Sequence, residues 1–364
     1  MVSELIGARP WATEAGTARF VARHGVGRAA DAWTQIARLE LSSIGIGTYL
    51  GPSDDATDAS YLAAVVDAVR RGVNVIDTAA SYRHGRSERV VGRALAELQA
   101  MGEIYRSEVL IASKAGFVTA DGQAPADPLA HALAATVGAG LAEADELSCG
   151  CHCMAPDYLA ETVKRSLQRL DIKTLDVCFI HNPECQLQQL GRATVMARLR
   201  RAFVALERLA DEGHLRVYGL ATWTGLRARP HERDWLGLAD VVALAEEVAG
   251  SRHRFRAIEL PFNAAMPEAL TRHNQVVDGE ACCALEAARR LGMVTFVGGP
   301  LMQGRLANED PGQAHDALQL ARSAPGVSSA LVGMSDLEHV RRNTAVMAEP
   351  RLSPAQVSAR LSAA

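Results

Sequence analysis

Four side chains that together can move a proton onto a carbonyl oxygen occur in order along the chain. Asp77 and Tyr82 lie in "VNVIDTAASYRHGRSERVVG", Lys114 in "VLIASKAG" and His181 in "LDVCFIHN". A tyrosine hydroxyl titrates near ~10 and is a poor acid at neutral pH. A neighbouring ammonium favours the phenolate, so Lys114 is expected to lower that value. Asp77 would hold the lysine charged and oriented. His181 can donate a hydrogen bond to a substrate oxygen and stabilise a developing alkoxide. The part this set lacks is a hydride donor over the carbonyl carbon. Singly, each residue also has a structural reading: Asp77 as a helix cap, Lys114 as a solvated charge, His181 beneath a turn set by Pro183, and Tyr82 as a loop aromatic. Placed together at the ends of successive apolar runs, they favour the chemical reading.

The elements that must position them are eight apolar runs, starting at Leu41, Val73, Val109, Leu175, Val217, Phe255, Met293 and Ser328. Between them, apolar residues at three- and four-residue spacing predict helices at Tyr61–Arg71, Tyr158–Leu170, Met196–Glu212, Leu238–Gly250, Glu280–Leu291 and Leu337–Met347. Gly72, Gly213 and Gly292 fall where a helix should stop before the next strand. Strands that are apolar throughout are buried on both faces and pair in parallel. Eight alternating units predict an α/β fold, a (β/α)8 TIM barrel. A doubly wound sheet is the alternative, but eight units exceed its usual count and no Gly-rich phosphate fingerprint follows the first run. The expected organisation is a single domain with an N-terminal extension over 1–40, the barrel over 41–348 and a C-terminal tail over 349–364. Chemistry in such a barrel sits at the C-terminal strand ends. The polar residues there are Thr48, Asp77, Lys114, His181, Thr222, Glu259 and Asn263.

Composition narrows the class. The 364 residues are 48% hydrophobic and 22% charged, with a formal net charge of -4. That balance gives no reason to expect nucleic acid or an anionic membrane as partner. No apolar run approaches the ~20 residues needed to span a bilayer. The first twenty residues lack a basic segment followed by an apolar core, so a cytoplasmic protein acting on a small molecule is expected; the oligomeric state is left open. Seven cysteines in this length do not form a disulfide scaffold. Cys149, Cys151 and Cys153 crowd around His152, but paired zinc ligands usually stand two residues apart, so a reduced loop without metal is the expectation.

At the level of whole motifs, "DTAASYRHGRSERVVGRAL", "IASKAG", "TVKRSLQRLDIKTLDVCFIHNPE" and "ALERLADEGHLRVYGLATW" resemble the aldo-keto reductases over about Leu41 to Met347. The resemblance implies a (β/α)8 barrel and NADP(H)-dependent interconversion of a carbonyl and an alcohol without metal, with NAD(H) as the alternative nucleotide. It implies a catalytic set of Asp77, Tyr82, Lys114 and His181. It also assigns Gly47, Thr48, Tyr49, Asp77, Thr222, Glu259, Pro300, Leu301, Gly304, Gly333, Arg342 and Asn343 to the cofactor. Ser87 is expected to cap the helix that follows the Tyr82 turn.

The cofactor positions depart from the family pattern. Ala221-Thr222 replaces Ser-Asn after the fifth strand, Glu259 replaces a Gln, and Gly298 stands where an aromatic would stack on the nicotinamide. His339 stands near where a basic residue would meet the adenosine 2′-phosphate. A lost stack removes roughly 0.5–1.5 kcal/mol and a lost charge-assisted contact roughly 1.5–3 kcal/mol, with Arg341 and Arg342 as candidate replacements. A carboxylate at Glu259 would favour an oxidised, positively charged ring. The runner-up reading is therefore a non-redox enzyme (an epimerase, isomerase or dehydratase) on the same scaffold, and a third is a binding subunit without turnover.

Loops complete the expectation. Phe117–Pro156 is long for a connection and is expected to form a lid or substrate wall. Trp223, Phe262 and Met302 are expected to give the mouth an apolar side. Glu184 either tunes His181 or is solvated. "TARFVARHG" and "AADAWTQIAR" are expected as helices beneath the barrel, and the short C-terminus leaves substrate contacts to the earlier loops.

Overall fold

In the computed structural model, residues 9–306 and 311–363 are described. The first eight residues of the expected extension, and Ala364 of the tail, lie outside them. Each of the eight apolar runs contributes one barrel strand: Ile44–Gly47, Val75–Asp77, Leu110–Ala115, Leu175–His181, Leu215–Ala221, Phe255–Pro261, Val294–Gly298 and Ser329–Gly333. Each pairs in parallel with its neighbour in sequence, and the eighth closes on the first. The chain is thus a (β/α)8 TIM barrel.

Two apolar layers hold it together. One lies inside the barrel, where Val75, Leu110, Val177, Phe179, Phe296 and Leu331 meet Ala12 and Leu41. Gly219 is required there, because a Cβ would fall 2.0 Å from the Ala257 carbonyl oxygen. The other layer lies between the strands and the helices, including Asp55–Arg70, Arg86–Ala100, Pro156–Leu170, Arg192–Asp211 and Leu238–Ala249. Gly72, Gly213 and Gly292 end their helices with φ of 92°, 85° and 66°, a conformation costly for any residue with a Cβ.

The first expected helix of the extension forms as Glu14–His24, capped by Thr13 and tied to the base by the Ala12 amide donating to Asp176 Oδ1 at 2.6 Å. The second does not. "AADAWTQIAR" instead carries a strand, Trp33–Ile36, paired antiparallel with Leu39–Ser42. The turn residues Ala37 and Arg38 both have positive φ, 48° and 72°, as a two-residue hairpin turn demands. The spacing of Ala29, Trp33 and Ile36 imitates a helix; pairing with a distant strand overrides it. The hairpin also claims Leu41, so the first barrel strand begins only at Ile44. Similarly, Glu280–Cys282 pairs with Gln275–Val277, and the seventh-strand helix is cut to Ala284–Arg290. Residues 117–156 hold the helix Pro128–Ala135 and a small hairpin, Leu147–Ser148 with His152–Cys153. No helix among the described residues is long and apolar enough to cross a membrane.

Candidate active site

Strand register sets the site. Asp77 closes the second strand opposite Ala112, Lys114 sits in the third opposite Phe179, and His181 closes the fourth opposite Ala221. Glu259, in the sixth, lies opposite Ala221 and Phe296. All point their chemistry to the C-terminal mouth.

Tyr82 arrives on a turn rather than a strand. Arg83, His84 and Gly85 all have positive φ, 50°, 55° and 80°. The buried Arg83 guanidinium holds this strained path by donating to Pro52 O at 2.8 Å and pairing with Asp58. The following helix begins with Gly85 in the cap position and no side-chain cap. Ser87 is therefore not the cap. It lies inside the helix and donates to the Thr48 carbonyl at 2.7 Å. Glu88, fully buried, accepts from Ser113 Oγ and from Arg169 Nε, both at 2.6 Å. The Gly-Arg-Ser-Glu turn thus bolts Tyr82 to the first and third strands and to the helix Pro156–Leu170.

Lys114 is the hub. Its ammonium donates to Asp77 Oδ1 and Oδ2 at 2.5 and 2.6 Å and to the Tyr82 hydroxyl at 3.0 Å. A second carboxylate, Glu259, brings Oε2 to 3.2 Å from the same Nζ. That approach is a charge contact without hydrogen-bond geometry, and Glu259 Oε2 has no hydrogen-bond partner.

This second acid changes the titration logic. Burial pulls the lysine down, but Asp77 and Glu259 outweigh it and hold Lys114 above its ordinary value. Burial pushes Tyr82 up; Lys114 pulls it down and the carboxylates push it up again, so it stands above its ordinary value. Lys114 does lower the hydroxyl as expected, but burial, with Asp77 and Glu259 added, outweighs it. Burial and Asp77 raise Glu259 to about 8 against the pull of Lys114. Burial, Lys114 and His152 hold His181 well below 6.5, so it is a neutral imidazole. Its ring lies 5.9 Å from that of Tyr82 and 5.0 Å from that of Phe117, and its Nδ1 is buried without a partner.

Above the hub lies a cleft of about 460 Å³. Of the residues expected at a cofactor, Gly47, Tyr49, Asp77, Thr222, Glu259, Pro300, Leu301, Gly304 and Gly333 line it. Thr48 does not; it is buried, and its hydroxyl donates to the Asp77 carbonyl. Arg342 and Asn343 lie on the helix Leu337–Ala345, away from the lining, with Asn343 buried. On that helix Asp336 caps His339 N and meets its ring at 3.0 Å, while Arg341 pairs with Glu338.

The aromatic wall differs from the expected one. Trp223 and Phe117 line the cleft with Tyr49, whereas Phe262 is fully buried and Met302 is not among the lining residues. Ser81, Asn182 and Gln303 also line it and were not anticipated. For Asn182 a signal existed: an Asn tolerates the left-handed φ of 47° found between His181 and Pro183. Glu184 is neither solvated nor against His181. Its Oε1 accepts from the amides of Trp223, Thr224 and Gly225 at 2.6, 3.0 and 3.4 Å, fixing the loop after the fifth strand. Asn263 likewise braces a turn, accepting from Ala265 and Met266 and donating to Gly299 O.

The cysteine-rich hairpin supports the fourth strand. His152 Nε2 lies 2.8 Å from the His181 carbonyl, and Nδ1 lies 2.9 Å from Gln186 Nε2. All seven cysteines are free thiols.

A (β/α)8 barrel with an Asp–Tyr–Lys–His centre at its mouth defines the protein class, and comparison with known proteins gives the family. The Aldo/keto reductase family model matches residues 43–229, and the chain belongs to this family of oxidoreductases. It is 24% identical to the uncharacterised oxidoreductase YqkF of Bacillus subtilis (strain 168), over 88% of this chain and 92% of that protein. It is 27% identical to an NADH-specific methylglyoxal reductase of Escherichia coli (strain K12), over 50% of this chain, and spans about half of that relative, 49%. Among solved structures, an aldo/keto reductase of Klebsiella pneumoniae in complex with NADP and acetate superposes with a TM-score of 0.59 at 21% identity, covering 91% of this chain and 94% of that one.

Proposed function

We propose that the protein is an NADP(H)-dependent carbonyl–alcohol oxidoreductase in which Tyr82 is the general acid and base. The observation that carries this reading is Lys114: its ammonium touches the Tyr82 hydroxyl and is clamped by Asp77 on the floor of an open cleft. A carbonyl oxygen seated on the Tyr82 hydroxyl would receive its proton during reduction and return it during oxidation. Lys114 stays beside the phenolate so formed and limits its cost, and Asp77 keeps the ammonium in place. His181, neutral, donates to the same substrate oxygen and thereby steadies the developing alkoxide.

The residues present fit a nicotinamide nucleotide at its reacting end. Thr222 Oγ1 is a buried polar atom without a partner, and Glu259 Oε2 meets the Lys114 charge without a hydrogen bond; a carboxamide could satisfy both. Gly47, Gly298 and Gly333 let a flat ring approach backbone. The nucleotide would supply the hydride. Complexes of Klebsiella pneumoniae relatives with NADP and NADPH favour the phosphorylated form, and the NADH-specific relative keeps NAD(H) as the comparison.

Titration of the purified protein with NADPH, NADP+, NADH and NAD+ tests the reading. Binding in the micromolar range by at least one of them is expected; none at millimolar concentration defeats it. Solvent deuterium exchange into carbonyl compounds without any nucleotide would move the site to the non-redox reading. Against a panel of small aldehydes and ketones, Tyr82→Phe should lower turnover by about 10²–10⁴. Nucleotide affinity should stay within about threefold.

A further inference from the structure

Among the described residues that line the cleft, Glu259 is the carboxylate that the acid–base chemistry does not use. Asp77 alone gives Lys114 two charge-assisted hydrogen bonds. Glu259 adds a second negative group with its side chain 13% exposed, at the edge of the cleft. Its Oε1 faces the space left by Gly298, 3.8 Å from where a Cβ on that glycine would stand. Its Oε2 has no hydrogen-bond partner. A buried carboxylate held in this way is costly unless something completes it.

The charges around it decide what that is. The second strand presents Asp77, the turn after it Tyr82, the third strand Lys114 and the fourth strand His181, which is neutral. Its register neighbours on the fifth and seventh strands, Ala221 and Phe296, carry no charge. Counting Asp77 and Glu259 against Lys114 leaves the floor one negative charge in excess when both acids are ionised. Any ring that exchanges hydride with a carbon whose oxygen rests on Tyr82 must come within about 3–3.5 Å of that carbon. Glu259, sharing Lys114 with Tyr82, borders that space.

Resting on the proposed nucleotide reading, we infer that Glu259 makes the cleft charge-selective: it holds the oxidised, cationic nicotinamide ring more tightly than the neutral reduced ring. By linkage, tighter hold on the oxidised ring tilts hydride transfer within the site toward the alcohol: the reduced ring gives hydride to the carbonyl carbon, Tyr82 gives its proton to the oxygen, and the ring is left oxidised. Burial and Asp77 raise the Glu259 carboxyl to about 8, so below that pH the free site holds a proton on it. A cationic ring favours the ionised form and expels that proton. Affinity for oxidised nucleotide therefore rises with pH from 7 toward 8 and levels above.

The test compares dissociation constants for oxidised and reduced nucleotide in the wild type and in Glu259→Gln, which keeps size and hydrogen bonding while removing the charge. The wild type is expected to bind the oxidised form more tightly. The substitution should move the ratio by about tenfold or more toward the reduced form. Calorimetry at pH 7 in two buffers of different ionisation enthalpy should show proton release on binding oxidised nucleotide to the wild type, and none in Glu259→Gln. A ratio unchanged within threefold overturns the inference while leaving the oxidoreductase reading intact. Absence of binding by every nucleotide overturns both. Should Glu259→Gln fail to fold, a wild-type affinity for oxidised nucleotide that is flat between pH 7 and 9 overturns the inference by itself.

Discussion

On the side of the mouth formed by strands two to four, Lys114 is closed in by Asp77 and Tyr82, and Ser87, Glu88 and Arg169 lock the turn that carries the tyrosine. On the side formed by strands five to eight, Thr222 Oγ1 is buried without a partner, Glu259 Oε2 meets the Lys114 charge without a hydrogen bond, and Gly298, Gly299, Gly304 and Gly333 line the cleft. The first side is closed among its own residues apart from a few polar atoms such as His181 Nδ1; the second is shaped for something else to complete it. The family match covers the whole acid–base set and the fifth strand with Thr222, and stops before Glu259. Proton-transfer geometry tolerates little displacement. A wall that meets a ligand through backbone and a few polar atoms permits more side-chain change.

Lys114 is where this contrast breaks most severely. Lys114→Met removes the cation from between Asp77 and Glu259 and leaves carboxylates buried without an answer. Breaking a buried pair in this way costs about 3–5 kcal/mol of folding stability. Chemical denaturation at pH 7 should show that loss, and it should shrink toward pH 5 as the acids take up protons. A loss below about 1 kcal/mol at pH 7 would mean that the closed side does not depend on its own electrostatics.

Glu259 should behave in the opposite sense. Its carboxyl stands near 8 in the folded protein against about 4.3 in an unfolded chain. Between those values the unfolded chain releases a proton that the folded protein keeps. Stability therefore falls as pH climbs through this window and stays reduced above it. Glu259→Gln escapes that loss. It should be more stable than the wild type by up to about 5 kcal/mol at pH 8.5, with most of the gap gone by pH 5. Thermal melts of both proteins across this range check it. A gap independent of pH would place Glu259 in the closed network with Asp77.

The contrast also explains what the sequence reveals and what it conceals. The barrel is legible because strands buried on both faces must be apolar throughout, and their helices end at glycines whose φ only glycine takes readily. Asp77, Tyr82, Lys114 and His181 are legible because strand ends in a barrel converge on one mouth. The hairpin Trp33–Ile36 is concealed because its partner, not its own spacing, decides its conformation. The Ser87 cap fails because the cap position falls to Gly85 in the left-handed conformation. The raised Tyr82 value is concealed because its main cause, burial, and the added charge of Glu259 beside Lys114 both exist only in the folded barrel. Phe262 and Met302 do not line the cleft, and Phe117 does. Residue type alone cannot choose between those placements.

The finest distinction between the two sides lies at Thr222. Its amide already donates to the Glu259 carbonyl at 2.8 Å, a bond that any residue keeps. Its hydroxyl, buried and unpartnered, contributes nothing to the free protein. Thr222→Val keeps the shape and removes an unsatisfied polar atom, an exchange that is near neutral or stabilising by up to about 1 kcal/mol. Denaturation should therefore show no loss of stability. Nucleotide affinity should fall by about three- to tenfold, the worth of one hydrogen bond. If instead stability drops and affinity is unchanged, Thr222 is finished by the protein itself. The open side of the mouth would then begin at the sixth strand rather than the fifth.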